Sequence, residues 1–122
     1  MKVAVYGSLR QGMHNHDIIG DSPLIGIKTY DLPYKMVDLN RYPALIPDER
    51  THRTVFEIYD VNDEVYHNIE YLEGYPDFYQ KSWVDGVEFY FVPDEQKYYS
   101  SRFADEDHIE DWVAYRQAKG LD

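Results

Sequence analysis

The stretch VAVYGSLRQG at residues 3–12 predicts the first structural element of this 122-residue chain. Its apolar residues from Val3 to Tyr6 predict a short strand, which runs into a loop bounded by Gly7 and Gly12. Glycine lets the backbone approach a ligand closely, and successive exposed N–H groups in such a loop bind a carboxylate or an oxyanion. Because any strand that ends in a Gly-Ser turn shares this pattern, the stretch alone gives weak support for a site.

Beyond the loop, short apolar segments alternate with turn residues, which is the pattern of a chain rich in β-strands. Pro43 implies an edge strand or the start of a strand, because proline has no N–H for the ladder. Asp85-Gly86 lies between two apolar runs and is the strongest hairpin signal in the chain. The further strands are predicted over residues 24–29, 34–37, 42–46, 55–59, 80–84 and 87–92, with a turn at residues 31–33.

Helices are predicted between and after these strands. Asn62 is a suitable N-cap, and Val65, Ile69 and Leu72 follow it at the spacing of a buried helical stripe. Gly74 then supplies the residue that ends a helix in the left-handed conformation. The other predicted helices are a short one at residues 15–19 and a last one at about residues 106–119.

The order of these elements predicts the fold class. Strands and helices that do not alternate as βαβ units place antiparallel strands side by side and helices on the outside. We therefore predict an α+β fold with a small mixed, mostly antiparallel, β-barrel-like sheet and two or three peripheral helices. No repeat, low-complexity stretch or linker divides the chain, so a single domain is predicted over residues 1–122.

Composition restricts the functions open to the chain. A formal net charge of −11 disfavours binding to phosphate backbones and anionic membranes, so we expect no nucleic-acid partner and no membrane partner. The absence of cysteine excludes disulfides, thiol nucleophiles and cysteine-based zinc sites. No apolar run is long enough to span a membrane, and the N-terminal one is too short for the core of a signal peptide. We expect a cytoplasmic protein.

Glu73 is the first candidate for catalysis. It lies on the last turn of a predicted helix, where the helix dipole opposes a negative charge. Leu72 and Tyr75 would also shield it from water. Both effects raise the pKa of a carboxyl group, as suits a residue that accepts and returns a proton near neutral pH. Without other support, a solvent-facing glutamate at a helix end explains the same pattern.

Five segments, in chain order, resemble the γ-glutamylcyclotransferase-like family, particularly its γ-glutamylamine cyclotransferase branch. Together they span nearly the whole chain, and their order is more specific than any one of them. The matching segments are YGSL at residues 6–9 with Gly12 and Asn15, YPAL at residues 42–45, EIYDV at residues 57–61, LEGYP at residues 72–76 with Tyr79, and Asp111-Trp112 with Tyr115-Arg116.

The resemblance implies a cofactor-free intramolecular acyl transfer. In that reaction the α-amine of a γ-glutamyl group attacks its own γ-amide carbonyl, giving 5-oxoproline and a free amine. Glu73 would be the catalytic general acid/base. The small-molecule partner would be a γ-glutamyl compound, no metal or cofactor is expected, and the chain would be a monomer or a weak homodimer. The residues expected to bind substrate are Tyr6, Gly7, Ser8, Leu9 and Tyr79.

Three residues depart from the family pattern. Phe56 stands where the family usually has glycine, Lys81 where an arginine often follows the tyrosine, and Glu110 where the tail pattern has glycine. None of them lies in the loop or at Glu73. Phe56 would narrow the pocket or reshape a strand crossing, which affects the choice of substrate more than the chemistry.

The same residues allow other interpretations. His14 and His16 do not make a metal site without further ligands, and no histidine is placed by the sequence to activate Ser8. Tyr79 is nearly as well explained as a core tyrosine with a satisfied hydroxyl. Two broader alternatives stay open: a binding module that holds a γ-glutamyl ligand without turnover, and an acidic nucleic-acid mimic.

Overall fold

A five-stranded sheet forms the centre of the computed structural model, which describes residues 1–121. The strands lie in the order β2-β3-β1-β5-β4, and every neighbouring pair is antiparallel except β1 and β5. The predicted single domain also includes Asp122, which lies outside the described residues. The elements are β1 (Lys2–Val5), a 3₁₀ helix (His16–Ile19), β2 (Leu24–Asp38), β3 (Pro43–Asp60), α1 (Asp63–Glu73), β4 (Gln80–Val84), β5 (Val87–Phe91), α2 (Tyr98–Arg102) and α3 (Trp112–Ala118).

The strands β2 and β3 form one long antiparallel ribbon, so the predicted turn at residues 31–33 is wrong. The four segments predicted here as separate strands belong to these two continuous strands. Pro33 lies at a register shift between Leu32 and Tyr34 on an edge strand, where its missing N–H is tolerated. Pro43 is the first residue of β3, as predicted.

The sheet curls so that its two halves approach each other. The C-terminal part of β3 pairs with β1, whereas its N-terminal part returns to the far end of β5. There the N–H of Val92 donates to the carbonyl oxygen of Leu45 over 2.9 Å. This closure agrees with the predicted barrel-like sheet, although β2 and β4 remain edge strands.

Successive side chains of β1 and of Tyr6, which follows it, point to opposite faces of the sheet, and each face carries its own part of the core. Val3 and Val5 belong to one buried cluster, and Ala4 and Tyr6 belong to the other. The first cluster includes Ile69 of α1, and the second is joined by α3. The large buried residues of the second face include Tyr6, Phe56, Ile58, Phe89 and Trp112.

Helix α1 confirms the prediction at both ends. The side chain of Asn62 accepts a hydrogen bond from the N–H of Val65, and Gly74 ends the helix with φ of 65°. Ile69 is fully buried, but Leu72 is exposed. The predicted stripe therefore holds only for its first two residues, because the last turn of α1 borders a cavity.

The C-terminal helix begins later than predicted. Helix α3 starts at Trp112, where the side chain of Asp111 accepts from the N–H of Ala114. The preceding residues run along the sheet, since Ile109 N–H donates to Met36 O and Glu110 O accepts from Val55 N–H. These distant backbone partners prevent residues 106–111 from forming a helix. The five-residue helix α2 was not predicted.

Candidate active site

A cavity of about 360 Å³ opens where β1 and the loop after it, the start of β3, the end of α1 and β5 meet. This volume suits a small ligand. Each of the six sequence-predicted site residues lies in its wall: Tyr6, Gly7, Ser8, Leu9, Glu73 and Tyr79. They come from two of the matched segments, residues 6–9 and residues 72–76 with Tyr79, and the fold brings them together.

Close packing fixes the loop after β1. The N–H of Arg10 donates to Gly7 O over 3.0 Å, which closes a turn. A Cβ atom at Gly7 would lie 2.6 Å from both Cδ and Cγ of Pro43, so only glycine allows this approach. Among residues 1–121, the backbone N–H groups of Ser8 and Leu9 have no acceptor. Two adjacent free donors therefore border the cavity.

Residues that follow the loop hold it in place, and one of them, Asn15, also lines the cavity. The Nδ2 of Asn15 donates to Ser8 Oγ over 3.0 Å, and the N–H of Asn15 donates to Ser8 O over the same distance. The ring nitrogen Nδ1 of His16 lies 2.8 Å from Leu9 O. The Ser8 hydroxyl is thus hydrogen-bonded to the side-chain amide of Asn15 and not to a base that could activate it as a nucleophile. Within the part of the chain that the structure describes, no three histidine or acidic side chains gather as a metal site would need.

A buried ion pair that was not predicted from the sequence anchors the same loop. Arg10 donates through Nε to Glu57 Oε2 over 2.8 Å and through an Nη atom to Asp111 Oδ1 over 2.8 Å. The other oxygen of Glu57 accepts from the N–H of Gln11 and from the hydroxyl of Tyr59. Arg10 and Glu57 are almost completely buried. The available signal was a glutamate inside an apolar strand, which calls for a buried cation.

Glu73 is the last residue of α1 and lies in the cavity wall, where it is partly exposed. Burial raises the pKa of its carboxyl group from 4.5 to about 8. The predicted direction is confirmed, with burial as the cause. A carboxyl group with this pKa exchanges a proton near neutral pH, and it faces a cavity bordered by the two free N–H groups of the loop.

Two of the buried tyrosines that line the cavity have hydroxyls engaged within the protein. The hydroxyl of Tyr6 donates to Tyr90 O over 2.8 Å and accepts from the N–H of Leu45 over 3.3 Å. The hydroxyl of Tyr79 donates to Pro43 O over 2.7 Å. Both residues line the cavity, and their hydroxyls stabilise the surrounding backbone.

Tyr90, on β5, also lines the cavity and was not among the predicted site residues. It is 5% exposed, and its hydroxyl has no hydrogen-bond partner within residues 1–121. In the sequence it is one of 13 tyrosines, inside an apolar strand like any core residue. Nothing local distinguishes it, because the lack of a partner is a property of the tertiary structure.

The three departures from the family pattern lie outside the cavity wall. Phe56 is fully buried and packs against the ring of Tyr6 at 5.7 Å, so it supports the site from the opposite face of the sheet. Lys81 forms an ion pair with Glu70 of α1 and lies 3.9 Å from the centre of the Tyr75 ring. Glu110 contributes a backbone carbonyl to the sheet edge.

Sequence comparison relates nearly the whole chain to one protein family. Residues 3–114 match the family model described as gamma-glutamyl cyclotransferase, AIG2-like. A protein of Methanocaldococcus jannaschii, provisionally named a γ-glutamylcyclotransferase, is 36% identical over 83 residues, which are 67% of this chain and 68% of that protein. A Vibrio cholerae protein with the same provisional name is 32% identical over 84 residues, 68% of this chain and 70% of that protein.

Solved structures share the fold. An uncharacterized protein of Pyrococcus horikoshii superposes with a TM-score of 0.74 at 17% identity, covering 98% of this chain and 96% of that one. An AIG2-like protein from Mus musculus gives a TM-score of 0.74 at 20% identity, covering 98% of this chain and 92% of that one. At these identities the similarity concerns the fold, and it confirms the predicted α+β class. No helix in residues 1–121 has the length and apolar character to cross a membrane.

Proposed function

Because the chain belongs to the AIG2-like γ-glutamyl cyclotransferase family, we propose that it cyclises a γ-glutamyl amine or amide to 5-oxoproline and a free amine. The observation that carries the proposal is Glu73, a partly buried carboxyl group with a pKa of about 8 in the wall of a cavity that holds two free backbone donors. The proposed reaction needs only a small cavity that holds the substrate, and no cofactor, because the nucleophile and the electrophile belong to one molecule.

The proposed reaction assigns each proton to a named group. Glu73, in its ionised form, takes a proton from the α-ammonium group of the substrate. The freed amine attacks the γ-carbonyl carbon, so that a C–N bond forms and an oxyanion develops. The N–H groups of Ser8 and Leu9 stabilise that oxyanion. The bond from the γ-carbon to the leaving nitrogen then breaks as Glu73 returns its proton to that nitrogen. The ring nitrogen loses its extra proton to the regenerated Glu73 carboxylate, which passes it to the released amine, so that the neutral lactam of 5-oxoproline and a protonated amine remain.

Further parts of the proposal concern the setting of the enzyme. We propose a cytoplasmic protein, a monomer or weak homodimer, whose partner is a small γ-glutamyl compound. A cysteine-free chain is compatible with a reducing compartment. The acidic net charge of −11 supports the expectation that neither nucleic acids nor anionic membranes bind it.

The deciding experiment supplies a panel of γ-glutamyl amines, isopeptides, dipeptides and glutathione, and measures 5-oxoproline. The Glu73→Gln variant keeps the shape of the side chain and removes the base, so turnover should fall at least about 100-fold. Glu64→Gln, on the exposed side of the same helix, is the matched control and should retain wild-type turnover.

Two results would contradict the proposal. Equal turnover by wild type and Glu73→Gln would remove Glu73 from the chemistry. Binding of a γ-glutamyl compound without product, unaffected by Glu73→Gln, would identify a binding module on the same fold.

A further inference from the structure

We propose that the Tyr90 hydroxyl donates a hydrogen bond to a carbonyl or carboxylate oxygen of the glutamyl part of the substrate, and so positions the substrate in the cavity. This inference rests on the proposed function, because it concerns the ligand of the same site. Tyr90 would determine where the glutamyl chain lies relative to Glu73, and it would take no part in the transfer of protons.

The proposal rests on the Tyr90 hydroxyl, a buried hydrogen-bond donor without an acceptor. Tyr6, Tyr79 and Tyr90 are the buried tyrosines that line the cavity in the described part of the chain. The hydroxyls of the first two donate to backbone carbonyl oxygens, and that of Tyr90 donates to nothing within residues 1–121. Burying an unpartnered hydroxyl opposes folding, which makes this one a natural binding group for a ligand oxygen.

Tyr90 is held firmly enough to act as a preorganised donor. Its own carbonyl oxygen accepts from the hydroxyl of Tyr6 over 2.8 Å, and that hydroxyl is fixed in turn by the N–H of Leu45. Its ring packs edge-to-face with the ring of Tyr75, with centroids 6.3 Å apart and planes at 74°. Tyr6 therefore acts as a positioning residue for Tyr90.

The surroundings keep the phenol of Tyr90 protonated. Burial raises its pKa above the ordinary value of 10, and neighbouring groups that include Tyr66, Glu88, Glu70 and Glu73 raise it further. The hydroxyl is thus neutral across the working pH range. A neutral phenol donates a hydrogen bond to a carbonyl or carboxylate oxygen and leaves the ionised role to Glu73.

Binding of a ligand oxygen at this donor requires a small side-chain movement. The hydroxyl oxygen of Tyr90 is enclosed by protein atoms, so a neighbouring side chain has to shift when a ligand oxygen binds. We expect Tyr75 to make this shift, because its ring packs against that of Tyr90 and the residue is 38% exposed. It follows α1 directly, beyond Glu73 and Gly74.

The test uses Tyr90→Phe, which removes the hydroxyl alone. The probe is 5-oxoproline, because it retains both the carboxylate and the carbonyl oxygen of the glutamyl group. We expect its Kd, measured by calorimetry, to rise about tenfold, as for the loss of one hydrogen bond. The KM of the best γ-glutamyl substrate should rise by a similar factor, with a smaller change in kcat.

Two matched variants distinguish positioning from a structural role. Tyr30 also has a buried hydroxyl without a partner, but it lies outside the cavity, so Tyr30→Phe should leave the Kd of 5-oxoproline unchanged. Tyr79→Phe breaks a hydrogen bond within the protein and should lower Tm. Tyr90→Phe loses no such bond, so its Tm should equal or exceed that of the wild type.

Each outcome supports or overturns the inference. An unchanged Kd and KM in Tyr90→Phe, in a protein that does turn over substrate, would overturn the role of Tyr90 and leave the proposed function standing. Weaker binding of 5-oxoproline by Tyr90→Phe, in a protein that makes no product, would support the role of Tyr90 and overturn the proposed function. A wild-type protein that neither binds 5-oxoproline nor forms it would overturn both.

Discussion

At the scale of single residues, Glu73 is distinguished from an ordinary acidic residue by its environment in the fold. The chain has 23 acidic residues, and Glu73 combines the end of a helix with the wall of a cavity. Its pKa of about 8 follows from burial, which disfavours the charged form. The same burial that suits proton exchange therefore carries a cost in stability whenever the carboxyl group is ionised.

This cost predicts a particular dependence of stability on pH. In the unfolded chain the Glu73 carboxyl group titrates near 4.5, whereas in the folded protein it titrates near 8. Between these values the folded state binds the additional proton, so rising pH removes stability, by up to ~1.4 kcal/mol per pH unit. Above pH 8 the loss is complete.

Glu73→Gln lacks this titration and isolates its effect. The variant should be more stable than the wild type at pH 8, and the difference should shrink toward pH 4. Urea unfolding of both proteins at the two pH values measures it. A difference in the free energy of unfolding that is the same at both pH values would show that burial does not shift the pKa of Glu73.

At the scale of elements, the loop after β1 owes its shape to one close contact. Gly7 approaches the ring of Pro43 at the start of β3, and a Cβ atom would overlap that ring. The contact sets the distance between the loop amides and β3, both of which border the cavity. The glycine is required by packing, because its φ does not lie in the left-handed region.

Gly7→Ala tests this contact. Relieving the overlap needs a backbone shift, so we expect a loss of about 1–3 kcal/mol in the free energy of unfolding and weaker binding of 5-oxoproline. Gly26→Ala is the matched control, since a Cβ there meets nothing within 4 Å. It should be neutral or slightly stabilising. If both variants unfold alike in a thermal melt, the Pro43 contact does not constrain the loop.

At the scale of the whole molecule, one buried ion-pair network joins three distant parts of the fold. Arg10 in the loop contacts Glu57 on β3 and Asp111, the N-cap of α3. The network connects the site loop to both the sheet and the C-terminal helix. Disturbing it should therefore affect the site and global stability together.

Arg10→Met removes the cation and leaves Glu57 buried without its charge partner. We expect a loss of about 3–5 kcal/mol in the free energy of unfolding, a large share of the stability of a small domain. The double variant Arg10→Met/Glu57→Gln removes the stranded charge and should recover part of that loss. Denaturant unfolding measures both; a double variant less stable than Arg10→Met would contradict this account.

Local preferences explain which elements were predicted correctly. The strand before Gly7, the caps of α1 at Asn62 and Gly74, and the hairpin at Asp85-Gly86 depend on a few neighbouring residues, so the sequence predicts them. The errors lie where distant partners compete. Pro33 became part of an edge strand, and residues 106–111 paired with backbone far away in the chain.

The sequence by itself determined the α+β class, the family pattern and the identity of the loop and Glu73 as a candidate site. Only the tertiary structure decided that Tyr90 carries a buried hydroxyl without a partner and that Arg10 pairs with Glu57. The hydrogen bond from Tyr6 that holds the backbone of Tyr90 joins positions 84 residues apart, and the Arg10–Glu57 pair joins positions 47 residues apart. Backbone propensity acts over a few residues, whereas burial and pairing depend on which distant segments the folded chain brings together.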